Sequence, residues 1–190
     1  MRLFFRQSRA GLGDTSSQKA GSGWLGKLAV FLPSAVVILV IAGAGTQRFS
    51  IQNTAGYLAP FWFRHFGSLP YQRYWEFVEA VRKLGHMIGY GLACLAFFAT
   101  SYWLLRLRGA RLAANGGWQL KNRAAGWALL LTMLLGSADE LHQRFVPQRT
   151  STITDVGFDV CGGYFALMLL FAALRFRARQ TAMRDSVTLA

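Results

Sequence analysis

The sequence predicts an all-α integral membrane bundle of four transmembrane helices, with an amphipathic outer-leaflet helix between the first and second spans. Three observations carry that expectation. The 190 residues are 53% hydrophobic, with a mean hydropathy of +0.28, against about 45–50% apolar residues in an ordinary soluble domain. The apolar residues are concentrated in runs approaching the ~20 residues that a helix needs to cross ~30 Å of hydrocarbon. The 21 Lys and Arg behind the formal charge of +13 fall in short clusters between those runs, the distribution that the positive-inside rule produces. A nucleic-acid partner would instead require a basic stripe interleaved with stacking aromatics, so no nucleic acid is expected.

The first predicted span is Trp24 to Ala44, whose sole charge is Lys27 near its start. Ala42-Gly43-Ala44 resembles a signal-cleavage site, but the apolar core exceeds the ~7–15 residues of a signal peptide. Leu84 to Leu105 is the second span, Ala124 to about Leu141 the third and Gly157 to Leu174 the fourth. Residues 1–23, rich in Gly, Ser and Gln, read as a disordered basic cytoplasmic head, 24–175 as the membrane domain and 176–190 as a basic cytoplasmic tail. Arg106, Arg108, Arg111, Lys121 and Arg123, with no acid among them, place the segment between spans two and three in the cytoplasm together with both termini.

The segments between spans one and two and between spans three and four then face outward. In the former, Tyr57, Phe61, Trp62, Phe63 and Phe66 have an aromatic density suited to the headgroup layer. In the sequence YQRYWEFVEAVRK after it, apolar residues recur at Tyr71, Tyr74, Trp75, Val78 and Val81. This helical spacing predicts an amphipathic helix on the outer leaflet that runs into span two, with an ordinary loop as the alternative. Membrane lipids are the expected partners.

This topology gathers polar residues at the outer ends of three spans. Lys83, His86 and Tyr90 share one face of span two, Asp139, Glu140 and Gln143 end span three, and Asp155 and Asp159, four apart, open span four. Arg149 follows Pro147 in the turn, where a guanidinium suits a phosphate or carboxylate. Ionisable residues at membrane depth cost several kcal/mol unless they face the protein interior or a wet cavity. All nine therefore stand as candidate ligand-binding residues, with Glu140, Arg149, Asp155 and His86 expected to form one network.

Plainer readings stand beside this one: a surface pair between Glu140 and Arg144, an interior histidine satisfied by a carbonyl, and an Asp159 paired only to hold the bundle. No HExxH, HxH or CxxC spacing suggests a metal, and no serine has a base at a recognisable spacing. Cys94 and Cys161 lie in apolar runs and read as free thiols. Neither a metal nor a cofactor is expected. Gly85 and Gly89, continued by Ala93, form a GxxxG pair and Gly162-Gly163 follows Asp159, so these glycines read as helix-packing devices.

The motif Ser-Ala-Asp-Glu-x-x-Gln-x-Phe-Val-Pro-x-Arg at Ser137–Arg149, followed by Asp155 and a glycine-rich helix start, together with Lys83, His86 and Tyr90, resembles the signature of the VanZ-like membrane proteins. The resemblance spans about Arg82 to Leu170. Two positions depart from it: Arg82 stands where the family usually has Asp, and Asp159 where it usually has Asn. The resemblance implies a bacterial cell membrane protein connected with teicoplanin-type glycopeptide resistance or envelope homeostasis. On this reading it binds a lipid-linked envelope precursor's headgroup or an amphiphilic glycopeptide in a polar outer cavity. The alternative is a membrane-embedded hydrolase or transferase acting on such a precursor; the absence of a visible nucleophile or metal spacing favours the binding reading.

Overall fold

The computed structural model describes residues 28–67, 70–108, 117–147 and 152–188. These form five α-helices: α1 Leu32–Ala44, α2 Ile51–Phe66, α3 Tyr71–Arg108, α4 Gly117–Gln143 and α5 Ile153–Thr188, with a short 3-10 turn Gln47–Phe49 between α1 and α2. Among the described residues, α3, α4 and α5 are long and apolar enough to cross a membrane, whereas α1 is a shorter apolar helix.

The first predicted span changes shape at Pro33. A turn closes with Phe31 N–H donating to Leu28 O at 3.0 Å, and α1 starts beside Pro33, which is tolerated in a first helical turn because its missing N–H has no intrahelical acceptor there. What remains is 13 residues, about 20 Å at ~1.5 Å per residue. Trp24 to Lys27 lie outside the described residues, as does the predicted head.

The aromatic segment between the first two predicted spans is itself helical. Ser50 caps α2 by accepting from Asn53 N–H at 3.4 Å, and the helix continues through Pro60. Residues 71–83, read as an outer-leaflet helix, are the first turns of α3. Its 38 residues extend roughly 57 Å at ~1.5 Å per residue, more than hydrocarbon thickness requires. These turns pack on α2 through buried Ala55, Trp62, Tyr74 and Val78, with the Tyr74 hydroxyl donating to the Ala55 carbonyl.

The main bundle has its polarity turned inward. Ala93, Cys94, Ala124 and Ala128 are fully buried, and side chains this small let α3, α4 and α5 approach closely. Ile88, Leu92, Leu131, Leu134, Met168 and Leu169 point outward and are exposed. An exterior this apolar suits lipid and would be a liability in water. A hydrogen bond of 3.0 Å between Ser34 and Thr100 ties α1 to α3.

Of the described glycines, Gly162 has the tightest surroundings: an added Cβ would overlap the Met87 carbonyl oxygen. A Cβ on Gly91 would in turn lie 3.2 Å from Gly162 O. Gly162 and Gly163 therefore do pack helices, whereas Gly85 and Gly89 do not: among the described residues, a Cβ at either meets nothing within 4 Å. The rotation of α3 that sets Gly91 against α5 turns Gly85 and Gly89 away from it.

Substituting Gly162 by Ala should destabilise the protein by about 1–3 kcal/mol, because the obstructing atoms are backbone. Gly157→Ala, on the same helix with nothing within 4 Å of its Cβ, should be neutral or gain up to ~1 kcal/mol of helix propensity. Denaturant unfolding in detergent compares the two, and equal stabilities would contradict the close approach.

Candidate functional site

The C-terminal ends of α1 and α4, the middle of α3 and the start of α5 come together, and α3, α4 and α5 contribute side chains to a polar cluster there. The Tyr90 hydroxyl donates to Asp139 Oδ2 at 3.0 Å, and Gln143 Nε2 donates to the same oxygen at 2.7 Å. One helical turn before Tyr90 on α3, His86 Nδ1 bonds Asp159 Oδ1 at 3.1 Å. The His86 and Tyr90 rings stack at 6.0 Å, with an interplanar angle of 18°. Glu140 Oε2 accepts from Thr152 N–H at 3.0 Å, joining the end of α4 to the segment that enters α5.

Asp139, Glu140, Gln143 and Asp159 are all buried, Asp159 completely. Among the described residues, Asp159 Oδ2 has no hydrogen-bond partner. Two glycines make room for the carboxylates. A Cβ on Gly45 would stand 2.7 Å from Asp139 Oδ1, and one on Gly136 would stand 2.9 Å from Asp159 Oδ2.

Two cavities share a wall of Arg82 and His86. The first, of about 320 Å³, is bounded by Val40, Ile41 and Ala44 of α1, by Phe49, and by Val81, Gly85 and Gly89 of α3, with Tyr90, Asp139 and Gln143 on its polar side. The second, of about 350 Å³, is lined by Glu79, Lys83, Thr152, Thr154, Asp155 and Phe158 besides Ile51 and the two shared residues. Arg82 belongs to no salt bridge among the described residues. The shared wall thus places a cation and an imidazole between an apolar-walled space and a polar one.

The structure brings His86, Tyr90, Asp139, Gln143 and Asp159 into direct hydrogen-bonded pairs, and His86 and Asp155, two members of the expected network, line one cavity. His86 pairs with Asp159 rather than with Asp155 or Glu140, because Asp159 lies one turn further along α5, level with His86. Asp155 lines the polar cavity. Lys83 lines it too, but its Nζ is bonded to Glu79 at 2.7 Å and lies 5.3 Å from the centre of the Phe158 ring. Arg149 lies outside the described residues. Arg144 is exposed while Glu140 is buried, and the bond between them runs from backbone N–H to backbone carbonyl at 3.3 Å. Gly45, Gly136 and Thr152 join the site without having been expected. Nothing in the sequence distinguishes a glycine that clears space for a carboxylate from any other helical glycine. Among the described residues, no three of His, Cys, Asp and Glu converge closely enough to hold a metal ion.

His86→Leu should cost about 3–5 kcal/mol by leaving the Asp159 carboxylate buried without its partner. The double variant His86→Leu with Asp159→Leu should cost clearly less than the two single losses added together. Additive losses in a detergent unfolding cycle would show that the two groups do not interact. Gly45→Ala should likewise displace Asp139 from Tyr90 and Gln143 and lower the unfolding midpoint, whereas Gly43→Ala, which meets nothing within 4 Å, should leave it unchanged.

No curated protein and no solved structure matches the chain. A sequence model of the VanZ/LLP1 family matches residues 28–175, a range that contains every polar residue of the site. With the helical bundle and its three membrane-length helices, this match makes the chain a member of the VanZ/LLP1 family.

Proposed function

We propose that the protein binds an amphiphile at the outer face of the cell membrane, taking an apolar portion into the first cavity and an anionic or sugar-bearing headgroup into the second. The observation that carries this reading is the wall shared by the two cavities, where Arg82 and His86 border both spaces. A ligand lying across that wall meets apolar surface on one side and, on the other, threonine hydroxyls, the Arg82 guanidinium and Lys83 with its Glu79 partner, the Asp155 carboxylate being placed to accept from sugar hydroxyls. An Arg already held in a salt bridge would have to break it to clamp a phosphate or carboxylate; Arg82 does not. Arg149 is proposed as a second clamp from the loop.

Lipid-linked envelope precursors and amphiphilic glycopeptides of the teicoplanin type both have the required two-part chemistry. Sequestering or shielding either would support antibiotic resistance or envelope homeostasis. In the proposed topology α1 together with the residues preceding it forms a fourth span, the residues around α2 lie at the outer leaflet, and both termini are cytoplasmic.

A second reading, hydrolysis or group transfer on a lipid-linked precursor, has the His86–Asp159 pair in its favour. A carboxylate on Nδ1 orients the ring and leaves Nε2 as the nitrogen able to accept a proton from an attacking water.

Gly85 and Gly89 supply the test, because side chains there enter open space. Gly89→Leu should fill the apolar cavity without destabilising the bundle and should weaken binding of a lipid-linked precursor or of teicoplanin by at least about tenfold, equivalent to ~1.4 kcal/mol. Arg82→Gln should weaken the precursor by a similar factor. The measurement is equilibrium binding to the purified protein in nanodiscs, with product analysis of the same samples. Saturable binding without product supports the binding reading. Product that disappears in His86→Gln supports the catalytic one. Wild-type binding of both ligands to Gly89→Leu would remove the cavity from the account.

A further inference from the structure

The opposite end of the bundle carries a site that neither cavity reaches. Trp118 near the start of α4 lies about 30 Å from Asp139 on the same helix at ~1.5 Å per residue. Around it is an open groove of about 400 Å³ lined by Trp118, Arg175, Ala178 and Arg179. Lys121 Nζ is 4.5 Å from the centre of the Trp118 ring, the Arg175 guanidinium is 5.5 Å from it, and Phe171 packs on the same indole at 6.0 Å. Arg175 and Arg179 are one helical turn apart on α5 and share a face.

These charges lack compensation. None of Lys121, Arg175 and Arg179 belongs to a salt bridge among the described residues. No Asp or Glu occurs between residues 117 and 138, between 160 and 184, or between 80 and 108, which are the helix segments nearest the groove. Three like charges around one indole repel one another, and an anion between them would remove that cost. The location narrows the choice of anion. Both helices become continuously apolar just beyond the groove, at Ala124 on α4 and Leu174 on α5, and a Trp at such a boundary sits at headgroup level. Basic pockets between membrane helices at this depth suit phosphate-bearing lipid headgroups.

We propose that this groove binds the headgroup phosphate of an anionic phospholipid, with Arg175 and Arg179 of α5 and Lys121 of α4 holding the phosphate and Trp118 holding the glycerol region against the helix ends. The site is independent of the ligand proposed for the opposite face. It would make the bundle's fit between α4 and α5 sensitive to the charge of the surrounding leaflet, because one lipid touches both helices.

Native mass spectrometry of the full chain, released from nanodiscs containing equal amounts of phosphatidylglycerol and phosphatidylcholine, tests the assignment. The wild type should retain phosphatidylglycerol in several-fold preference. The double variant Arg175→Gln with Arg179→Gln should lose most of that preference, as should Lys121→Gln in part, while Arg106→Gln with Arg108→Gln, which removes two charges from the same end, should keep it. Lys121→Gln alone keeps the test decisive if the double variant does not fold. Equal loss in the Arg106/Arg108 control would show a diffuse field in place of a site and overturn the proposal. Displacement of the lipid by millimolar inorganic phosphate would assign the groove to a free anion and overturn it as well.

Discussion

Burying carboxylates in an apolar bundle, Asp139 and Asp159 above all, is the constraint on which the rest of this structure depends. An ionised group so placed is tolerated only if donors from elsewhere in the fold reach it. Here both interhelical side-chain donors come from α3: Tyr90 reaches Asp139 on α4, and His86, one turn away, reaches Asp159 on α5. Two donors on one face of one helix, aimed at acids on two different helices, fix the rotation of α3 about its axis and its height relative to both neighbours. The Gly162–Met87 contact is the steric counterpart of that arrangement. It lies one residue beyond His86, so the helices are closest where the carboxylate bond has to be made.

The same rotation creates the cavity. With His86, Tyr90 and Gly91 committed to the interior, Gly85 and Gly89 face α1 and the 3-10 turn, where no side chain of the described residues fills the space. A helical glycine costs up to ~1 kcal/mol relative to alanine, and here neither glycine recovers that cost through close packing. The stability forgone at these two positions maintains an open volume beside a charged wall, the kind of trade expected where a ligand site competes with stability.

Much of this was legible in the sequence, for physical reasons that differ from residue to residue. The positions of the three membrane-length helices followed from the lengths of apolar runs. The face holding His86 and Tyr90 followed from helical periodicity, and the place of Asp139 near the end of α4 and of Asp159 near the start of α5 from the limits of those runs. The partner of His86 was not legible. Choosing Asp159 over Asp155 requires the register between α3 and α5, which the Gly162 contact sets and which no single helix encodes. The GxxxG spacing of Gly85 and Gly89 misled for the same reason: spacing marks a face that permits close approach, and only the partner helix decides whether the approach occurs. α2 was hidden behind Pro60, a residue that usually ends helices, although Ser50 provides a cap at its start. Pro33 acted in reverse, interrupting an apolar run that composition alone made continuous.

Charge along α5 shows how one helix serves both ends of the bundle. Its first turns carry Asp155 and Asp159, and Arg175, Arg177 and Arg179 follow some four turns after Asp159. Acids near a helix N-terminus and bases toward its C-terminal half both oppose the macrodipole favourably. At the first end that charge is largely buried, with Asp159 bonded to His86; at the second it is exposed and in no salt bridge among the described residues. Buried charge is satisfied by the protein itself and so fixes geometry, which is why the Asp159 bond governs how α3 and α5 fit. Exposed charge is left for the surroundings to satisfy, which is the physical basis of the lipid site proposed for that end, so the two ends of one helix differ in what must neutralise them.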